Sequence, residues 1–295
     1  MKDPVLLIGT GLVALDYYNV LKDLNLEAIV IGRGDQSANM FFESARKKPV
    51  TGGIKNFLHL NPFNYKNAIV AVQIENLYEV TISLLKAGVK NILIEKPAGL
   101  NKKEIEDCSK FAIECNANVF VAYNRRFYSS VIKAKELINE DGGLTSIDFE
   151  FTEWANDIEK LNFSSKVKNS WFLANSSHVV DLSFYLAGNP DKISSFVNGK
   201  LNWHKSGSIF SGAGITNKSI IFSYKANWES AGRWSVELKT KNRKLLLCPL
   251  EKLQIQNKGS LTLNFYNDID YKLDEKYKPG SVSYTHLRAH ETRGN

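Results

Sequence analysis

The hexapeptide Gly9-Thr10-Gly11-Leu12-Val13-Ala14 constrains this chain more than any other feature, because it joins the apolar run of residues 5–8 directly to a helix-length segment. Each small residue has a steric reason in that setting. Gly9 permits a tight turn, Gly11 lets the backbone come close to a phosphate, and Ala14 keeps the new helix against its strand. The free N–H groups at the helix start, together with its positive end, then face an anion. The spacing alone is weak, since a plain strand, turn and helix also fits it. At the head of a β-α-β unit it implies that Gly9, Thr10, Gly11, Leu12 and Val13 cradle the pyrophosphate of a dinucleotide.

The pattern around it agrees. Short apolar runs at 5–8, 28–31, 69–72, 92–94 and 119–122 alternate with helix-length segments. This predicts an α/β Rossmann unit with a doubly wound parallel sheet. Residues 75–87 carry a helical stripe that Gly88 ends, and Asn101 with Glu104 three later resembles a capping box. After a helix at 126–138, Asp141-Gly142-Gly143 makes a break and residues 145–153 alternate as a half-exposed strand does. One helical stretch near 178–186 follows, then strand-like runs at 193–201, 208–212, 219–228, 234–238, 244–247 and 261–265. Strands without intervening helices predict an α+β domain with an open, mainly antiparallel sheet. The expected division is a dinucleotide-binding domain over 1–122 and a domain for substrate and oligomerisation over 123–280. Residues 281–295 have neither a helical stripe nor sustained alternation. They resemble a translated sequencing adapter and are expected to be a non-native tail in place of a truncated C-terminus, which makes the spacing of His286 and His290 accidental.

Composition bounds the function. The 295 residues exceed one ordinary core, and the net charge of +7 is scattered among acids instead of forming a basic face. That excludes a nucleic-acid partner and argues weakly for small anionic ligands. Cys108, Cys115 and Cys248 have no disulfide or metal spacing, and His59, His178 and His204 show no ligand pattern, so no metal is expected. No apolar run reaches membrane-spanning length and the first strand begins at once, so a cytoplasmic protein without a membrane partner is expected. Trp203, Trp228 and Trp234 look exposed enough to serve a dimer or tetramer interface, with core packing as the simpler alternative.

Where an acidic residue ordinarily binds the ribose of NAD, the end of the second predicted strand carries Gly32-Arg33-Gly34. A guanidinium there suits the 2′-phosphate of NADP, because its fork of donors matches phosphate oxygens. Asp35 could still reach a ribose, so NAD stays as the alternative.

Glu95-Lys96-Pro97 follows the apolar strand at 92–94, at the carboxyl edge where α/β sheets hold ligands. With the N-terminal fingerprint it resembles the glucose-fructose oxidoreductase, inositol dehydrogenase and rhizopine catabolism (Gfo/Idh/MocA) family. The resemblance extends to Ala122-Tyr123-Asn124-Arg125-Arg126-Phe127 and to Asn175-Ser176-Ser177-His178-Val179-Val180-Asp181, and so covers most of the chain. It implies an NAD(P)-dependent oxidoreductase that moves hydride between nicotinamide and a hydroxyl or carbonyl of a sugar, nucleotide sugar or polyol. Glu95, Lys96, Pro97, Val72 and Gln73 are then cofactor contacts. Lys96 also meets the substrate hydroxyl, and His178 exchanges its proton. Asp181, one helical turn after His178, is in reach to orient the ring. Asn124, Arg125 and Asn175 are weaker substrate candidates.

Two departures keep other readings open. Ala174 stands where many relatives carry a carboxylate four residues before the histidine, and Val72-Gln73 replaces the usual Thr-Pro. A non-catalytic dinucleotide sensor or scaffold, or an NAD-using epimerase or glycosidase of the same family, therefore remains as an alternative. For His178 alone, the plain alternative is a histidine that braces a helix.

Overall fold

The computed structural model describes residues 3–61, 65–277 and 279. The chain divides into two compact units, one holding Met1–Ala122 and the other starting at Tyr123. The tail expected at 281–295 lies outside the described residues.

The first unit runs β1 (Val5–Ile8), α1 (Leu12–Asp23), β2 (Ala28–Ile31), α2 (Asp35–Ala45), α3 (Gly53–Leu60), β3 (Asn67–Val70), α4 (Ile74–Lys86), β4 (Asn91–Ile94), α5 (Lys102–Glu114) and β5 (Asn118–Val121). Strands β1 to β4 are apolar runs because both faces are covered, whereas β5 leaves Asn118 and Phe120 exposed. Leu6 and Ile8 of β1 join Ala68 and Val70 of β3 and Ile92 and Ile94 of β4 in one core, under Leu77 and Leu84 of α4. Val5 and Leu7 point the other way and pack with Ile69, Leu93, and Ala14, Tyr17 and Leu21 of α1. Each fully buried leucine in these layers contributes roughly 1.5–3 kcal/mol. At the start of α5 the Asn101 side chain accepts from the Glu104 N–H at 3.0 Å, and Glu104 reaches back to the Leu100 N–H at 2.7 Å. Asn101 thus caps the helix, and Glu104 returns the bond to the residue before the cap instead of to the cap itself.

The sheet order is β2-β1-β3-β4-β5, with every pair parallel. One more residue extends it: Val50 bridges Ile31 in parallel, donating to Val30 O and accepting from Gly32 N, both at 2.8 Å. A one-residue strand thus lies outside β2, and the order becomes that of dinucleotide-binding α/β proteins, reversing direction at β1. No apolar run announces Val50. It stands between Pro49 and Thr51 and is 43% exposed.

The second unit opens with a 3-10 turn at Asn124–Phe127, then α6 (Ser129–Glu140), β6 (Ser146–Glu150), α7 (Ala155–Lys160), α8 (Ser165–Asn169), a π-helical turn at Phe172–Ser176 and α9 (Ser177–Ala187). The strands β7 (Pro190–Asn198), β8 (Ile209–Thr216), β9 (Ile221–Asn227), β10 (Ser235–Lys239), β11 (Arg243–Leu247), β12 (Leu253–Asn257) and β13 (Asn264–Phe265) follow, and α10 (Lys272–Lys276) comes last. Among the described residues they form an eight-stranded sheet in the order β13-β12-β11-β10-β6-β9-β8-β7. Only β6 and β9 pair in parallel. β6 alternates: Ile147 and Phe149 are buried, and Phe149 meets Phe184 of α9 edge-on at 5.8 Å. Ser146, Asp148 and Glu150 take the other face, where Asp148 pairs with Lys239 at 2.8 Å. The expected fold class, a Rossmann unit followed by an α+β unit with a mainly antiparallel sheet, is borne out.

Two expectations are corrected. The run at 69–72 shifts, since β3 ends at Val70 and leaves Val72 and Gln73 in the turn before α4. The strand at 261–265 shrinks to two paired residues because Leu261 is 98% exposed and buries nothing. The tryptophans pack inward, as the simpler of their two readings has it: Trp228 is 1% and Trp234 7% exposed, and Trp203 stacks on Trp228 at 6.0 Å. No described helix is long and apolar enough to cross a membrane.

Candidate functional site

In the first unit, the singled-out residues gather at the carboxyl ends of the parallel strands. Gly9 leaves β1 with φ 131°, and a Cβ on it would lie 2.1 Å from Ala71 O, so the turn after β1 is pressed against the end of β3. This contact lies where the sheet order reverses. Gly11 differs, because a Cβ there meets nothing within 4 Å. It caps α1 with an open space above the helix start, and Leu12 is 83% exposed beside it. The Thr10 hydroxyl donates to Ser37 Oγ at 2.8 Å, which ties the loop to α2. Such a cradle, free of side chains at a helix N-terminus, fits a pyrophosphate.

Arg33 emerges from β2 and places a guanidinium N–H 3.4 Å from the Asn76 side-chain oxygen. Asp35 is spent differently, in the first turn of α2. Gln73 caps α4, whose next residues lead to Asn76. Glu95 accepts from the Tyr17 hydroxyl of α1 at 2.8 Å. Its carbonyl accepts from Ala98 N at 3.0 Å, which folds Lys96 and Pro97 into a tight turn with a cis Lys96-Pro97 bond. Pro97 is buried within this turn and Lys96 is half-buried.

In the second unit His178 is the second residue of α9 and 4% exposed. Its Nε2 lies 2.7 Å from a terminal nitrogen of Arg125. A guanidinium can only donate, so Nε2 is the acceptor and the ring is neutral, with its proton on Nδ1. Tyr123 meets the imidazole edge-on at 5.8 Å and Trp234 lies 6.0 Å away. Asn124 is not positioned as an independent ligand here. Its oxygen accepts from Arg125 at 3.1 Å and its nitrogen donates to Pro279 O at 2.8 Å, so it braces the arginine that holds His178.

The expectation that Asp181 orients His178 fails on geometry. Both Asp181 oxygens are taken by Arg126, Nε donating to Oδ2 at 2.7 Å and the second guanidinium nitrogen to Oδ1. A two-pronged charged fork outcompetes a neutral imidazole for the same carboxylate. Burial pushes the Asp181 carboxyl above its usual range, against the pull of Arg126. Asn175 likewise turns away, donating to Glu153 Oε1 at 3.0 Å.

Glu153 was not singled out from the sequence, where it ends the half-exposed strand read at 145–153. It is a hub. Its side chain is 1% exposed and accepts from Asn175, from Ser176 Oγ at 2.8 Å and from Arg233 at 3.0 Å. Burial raises its carboxyl despite these donors. Through it the π-helical turn, where Ala174 supplies no carboxylate, receives one from beyond β6. Arg233 lies over the rings of Trp154 at 5.0 Å and Trp234 at 4.7 Å. No local signal marks the pairing of Glu153, whose partners Asn175, Ser176 and Arg233 lie 22, 23 and 80 positions away.

Neither a protein-family model nor a curated protein matches the sequence. Solved structures do. A dehydrogenase (MviM) from Clostridium difficile aligns over 97% of this chain and 89% of its own, at 19% identity and a TM-score of 0.75. UDP-N-acetylglucosamine 3-dehydrogenase GnnA from Acidithiobacillus ferrooxidans aligns over 100% and 91%, at 12% identity and a TM-score of 0.73. Levoglucosan dehydrogenase in complex with NADH and L-sorbose aligns over 92% and 80%, at 16% identity and a TM-score of 0.74. At these identities the likeness is one of fold: the chain is built as these dehydrogenases are, a Rossmann unit followed by a mainly antiparallel one.

Proposed function

We propose that this chain is an NAD(P)-dependent oxidoreductase of the Gfo/Idh/MocA type, acting on a hydroxyl-bearing carbon of a sugar, nucleotide sugar or polyol. The observation that carries the reading is the pair Gly9 and Gly11, one pressed on Ala71 O and the other open above a helix start at the point of sheet reversal. The named activities of the fold neighbours, two of them dehydrogenases of carbohydrate-type compounds, support it. NADP is the preferred cofactor on the strength of Arg33, with NAD as the alternative.

The bound nicotinamide supplies the hydride acceptor or donor. The chain's residues do the rest. Gly9 to Val13 hold the pyrophosphate, with Val72, Gln73, Glu95 and Pro97 around the remainder of the dinucleotide. Lys96 donates to the substrate oxygen, which favours the charge that develops there. His178 takes the hydroxyl proton as the carbon gives up hydride, at Nε2 once the substrate oxygen has displaced Arg125 from that lone pair, and returns it in the reverse reaction. Arg125 orients the ring, and Asp181 contributes through Arg126 alone. Asn124 and Asn175 act as supports for Arg125 and Glu153. The free thiols, with burial pushing Cys108 up to about 11, fit a reducing, cytoplasmic setting. A homo-oligomer belongs to the proposal too, with the 72% exposed Phe196 on β7 as the apolar contribution in place of the buried tryptophans.

Fluorescence titration with NADPH and NADH, followed by turnover on a panel of sugars and polyols, tests the reading. Binding with turnover is expected. Ala174 favours one second reading, a dinucleotide sensor, and binding without turnover on any alcohol or carbonyl would establish it. A Lys96→Met variant is expected to bind NADPH as the parent does and to lose about 100-fold or more in kcat. Full activity in that variant removes Lys96 from the chemistry.

A further inference from the structure

The surroundings of Trp234 in the second unit are made of hydrogen-bond donors. The Trp234 ring lies 4.7 Å from the Arg233 guanidinium and 5.1 Å from that of Arg125, so one indole meets two cations. Trp234 is 7% exposed, and its Nε1 has no hydrogen-bond partner among the described residues. His178, whose neutral ring carries its proton on Nδ1, is the fourth member. The nearby carboxylates already have partners, and Arg233 is itself one of those of Glu153. Glu153 is wrapped by Asn175, Ser176 and Arg233, and Asp181 by Arg126.

A buried donor without an acceptor is costly to maintain, and native structures keep few of them. Two guanidiniums over one ring keep this spot cationic even with Glu153 beside Arg233, and a further anion is attracted to it. A neutral sugar hydroxyl both donates and accepts, so it has no particular advantage at a surface where donors predominate. A group that only accepts does. Ionised carboxylate and phosphoryl oxygens meet that condition, and arginine forks match both. Arg233 has the freedom to respond, because its side chain is 46% exposed while its anchor Glu153 is 1% exposed.

We infer that the substrate of this protein carries an acidic group, a carboxylate or a phosphoryl, which Arg233, Arg125 and Trp234 receive. The compound is thus an acidic sugar or polyol instead of a neutral one. The inference deepens the oxidoreductase reading and rests on it for the chemistry, but not for the binding.

The test compares glucose with glucuronate and with glucose 6-phosphate on the full chain with NADPH or NADP present, by calorimetric titration and by nicotinamide absorbance. At least one acidic member is expected to bind about tenfold or more tighter than glucose, as charge-assisted bonds predict. Which one does so separates carboxylate from phosphoryl. Arg233→Gln should erase that preference and leave glucose binding within about twofold, while Arg233→Lys keeps part of it. Because Arg233→Gln also removes a partner of Glu153, Trp234→Phe serves as a second variant. It keeps the ring and drops the N–H, and should weaken the acidic ligand several-fold with unchanged circular dichroism. Equal binding of all three compounds, no binding of either acid, or a preference that survives both variants overturns the inference. Turnover of neutral sugars alone would overturn it and spare the oxidoreductase. Acid-selective binding lost in Arg233→Gln, without turnover, would do the reverse.

Discussion

Two glycines two positions apart answer to different forces. Gly9 is fixed by the protein itself: its φ of 131° and the 2.1 Å approach of Ala71 O leave no room for a Cβ. Gly9→Ala should therefore cost about 3 kcal/mol or more, since backbone must move at the junction of β1 and β3. Gly11 has an ordinary φ of −85° and empty space. Gly11→Ala is expected to leave the unfolding midpoint within about 0.5 kcal/mol of the parent and to weaken NADPH binding about tenfold or more, because only a ligand occupies that space. Urea titrations and NADPH binding on both variants check this, and an unchanged NADPH affinity in Gly11→Ala would sink the pyrophosphate assignment. These glycines were legible in the sequence because their demand is steric and local. The pairing of Asp181 was not. Helical spacing brought it within reach of His178, but spacing cannot show that Arg126, 55 positions earlier, offers the stronger fork. Glu153 was invisible for the same reason, as its partners Ser176 and Arg233 are distant in the chain.

At the scale of elements, strands buried on both faces were legible as apolar runs, and β6 as an alternation. Elements that bury little were not: Val50 adds one bridge to the first sheet, and β12, reading Leu-Gln-Ile-Gln-Asn, has too few apolar residues to stand out. Asp141 is a related case, since it looked like part of a simple break and instead locks α6 to the β10–β11 hairpin. Its 1% exposed carboxylate accepts from Thr240 at 2.6 Å, from Asn242 at 3.0 Å and from Arg243 Nε at 2.8 Å. Burial works to raise this carboxyl, but the donors outweigh burial and hold it below its ordinary 3.8. A depressed folded value means that the stabilisation is complete above the unfolded value and is lost as pH falls through the folded one. Asp141→Asn should thus cost about 2–3 kcal/mol at neutral pH, with the gap to the parent closing below pH 3.8. Urea unfolding of both proteins across that range measures it. A gap that stays constant with pH would show that packing, and not the ionised carboxylate, holds the hairpin.

At the scale of the whole molecule, the two units differ in what can report on them. All five tryptophans, Trp154, Trp171, Trp203, Trp228 and Trp234, lie after residue 122, so intrinsic tryptophan emission observes the second unit and circular dichroism observes both. A ligand that binds only the folded state stabilises by RT ln(1 + [L]/Kd), about 2.7 kcal/mol at 100 times Kd. For a unit the size of Met1–Ala122 this corresponds to a rise in unfolding temperature of about 10 °C. NADPH at that ratio is therefore expected to raise the dichroism-detected transition by about this amount, and NADH at the same concentration by less, because Arg33 adds a fork of donors for the 2′-phosphate. Arg33→Ala should bring the NADPH shift down to that of NADH without altering the unliganded melt, since the guanidinium makes only a 3.4 Å contact with Asn76. Equal shifts in the parent protein would withdraw the preference for NADP and leave NAD, with the dinucleotide site intact. No shift with either, in a protein whose dichroism is that of a folded α/β chain, would mean that the glycine cradle holds no dinucleotide, and the oxidoreductase reading would fall with it.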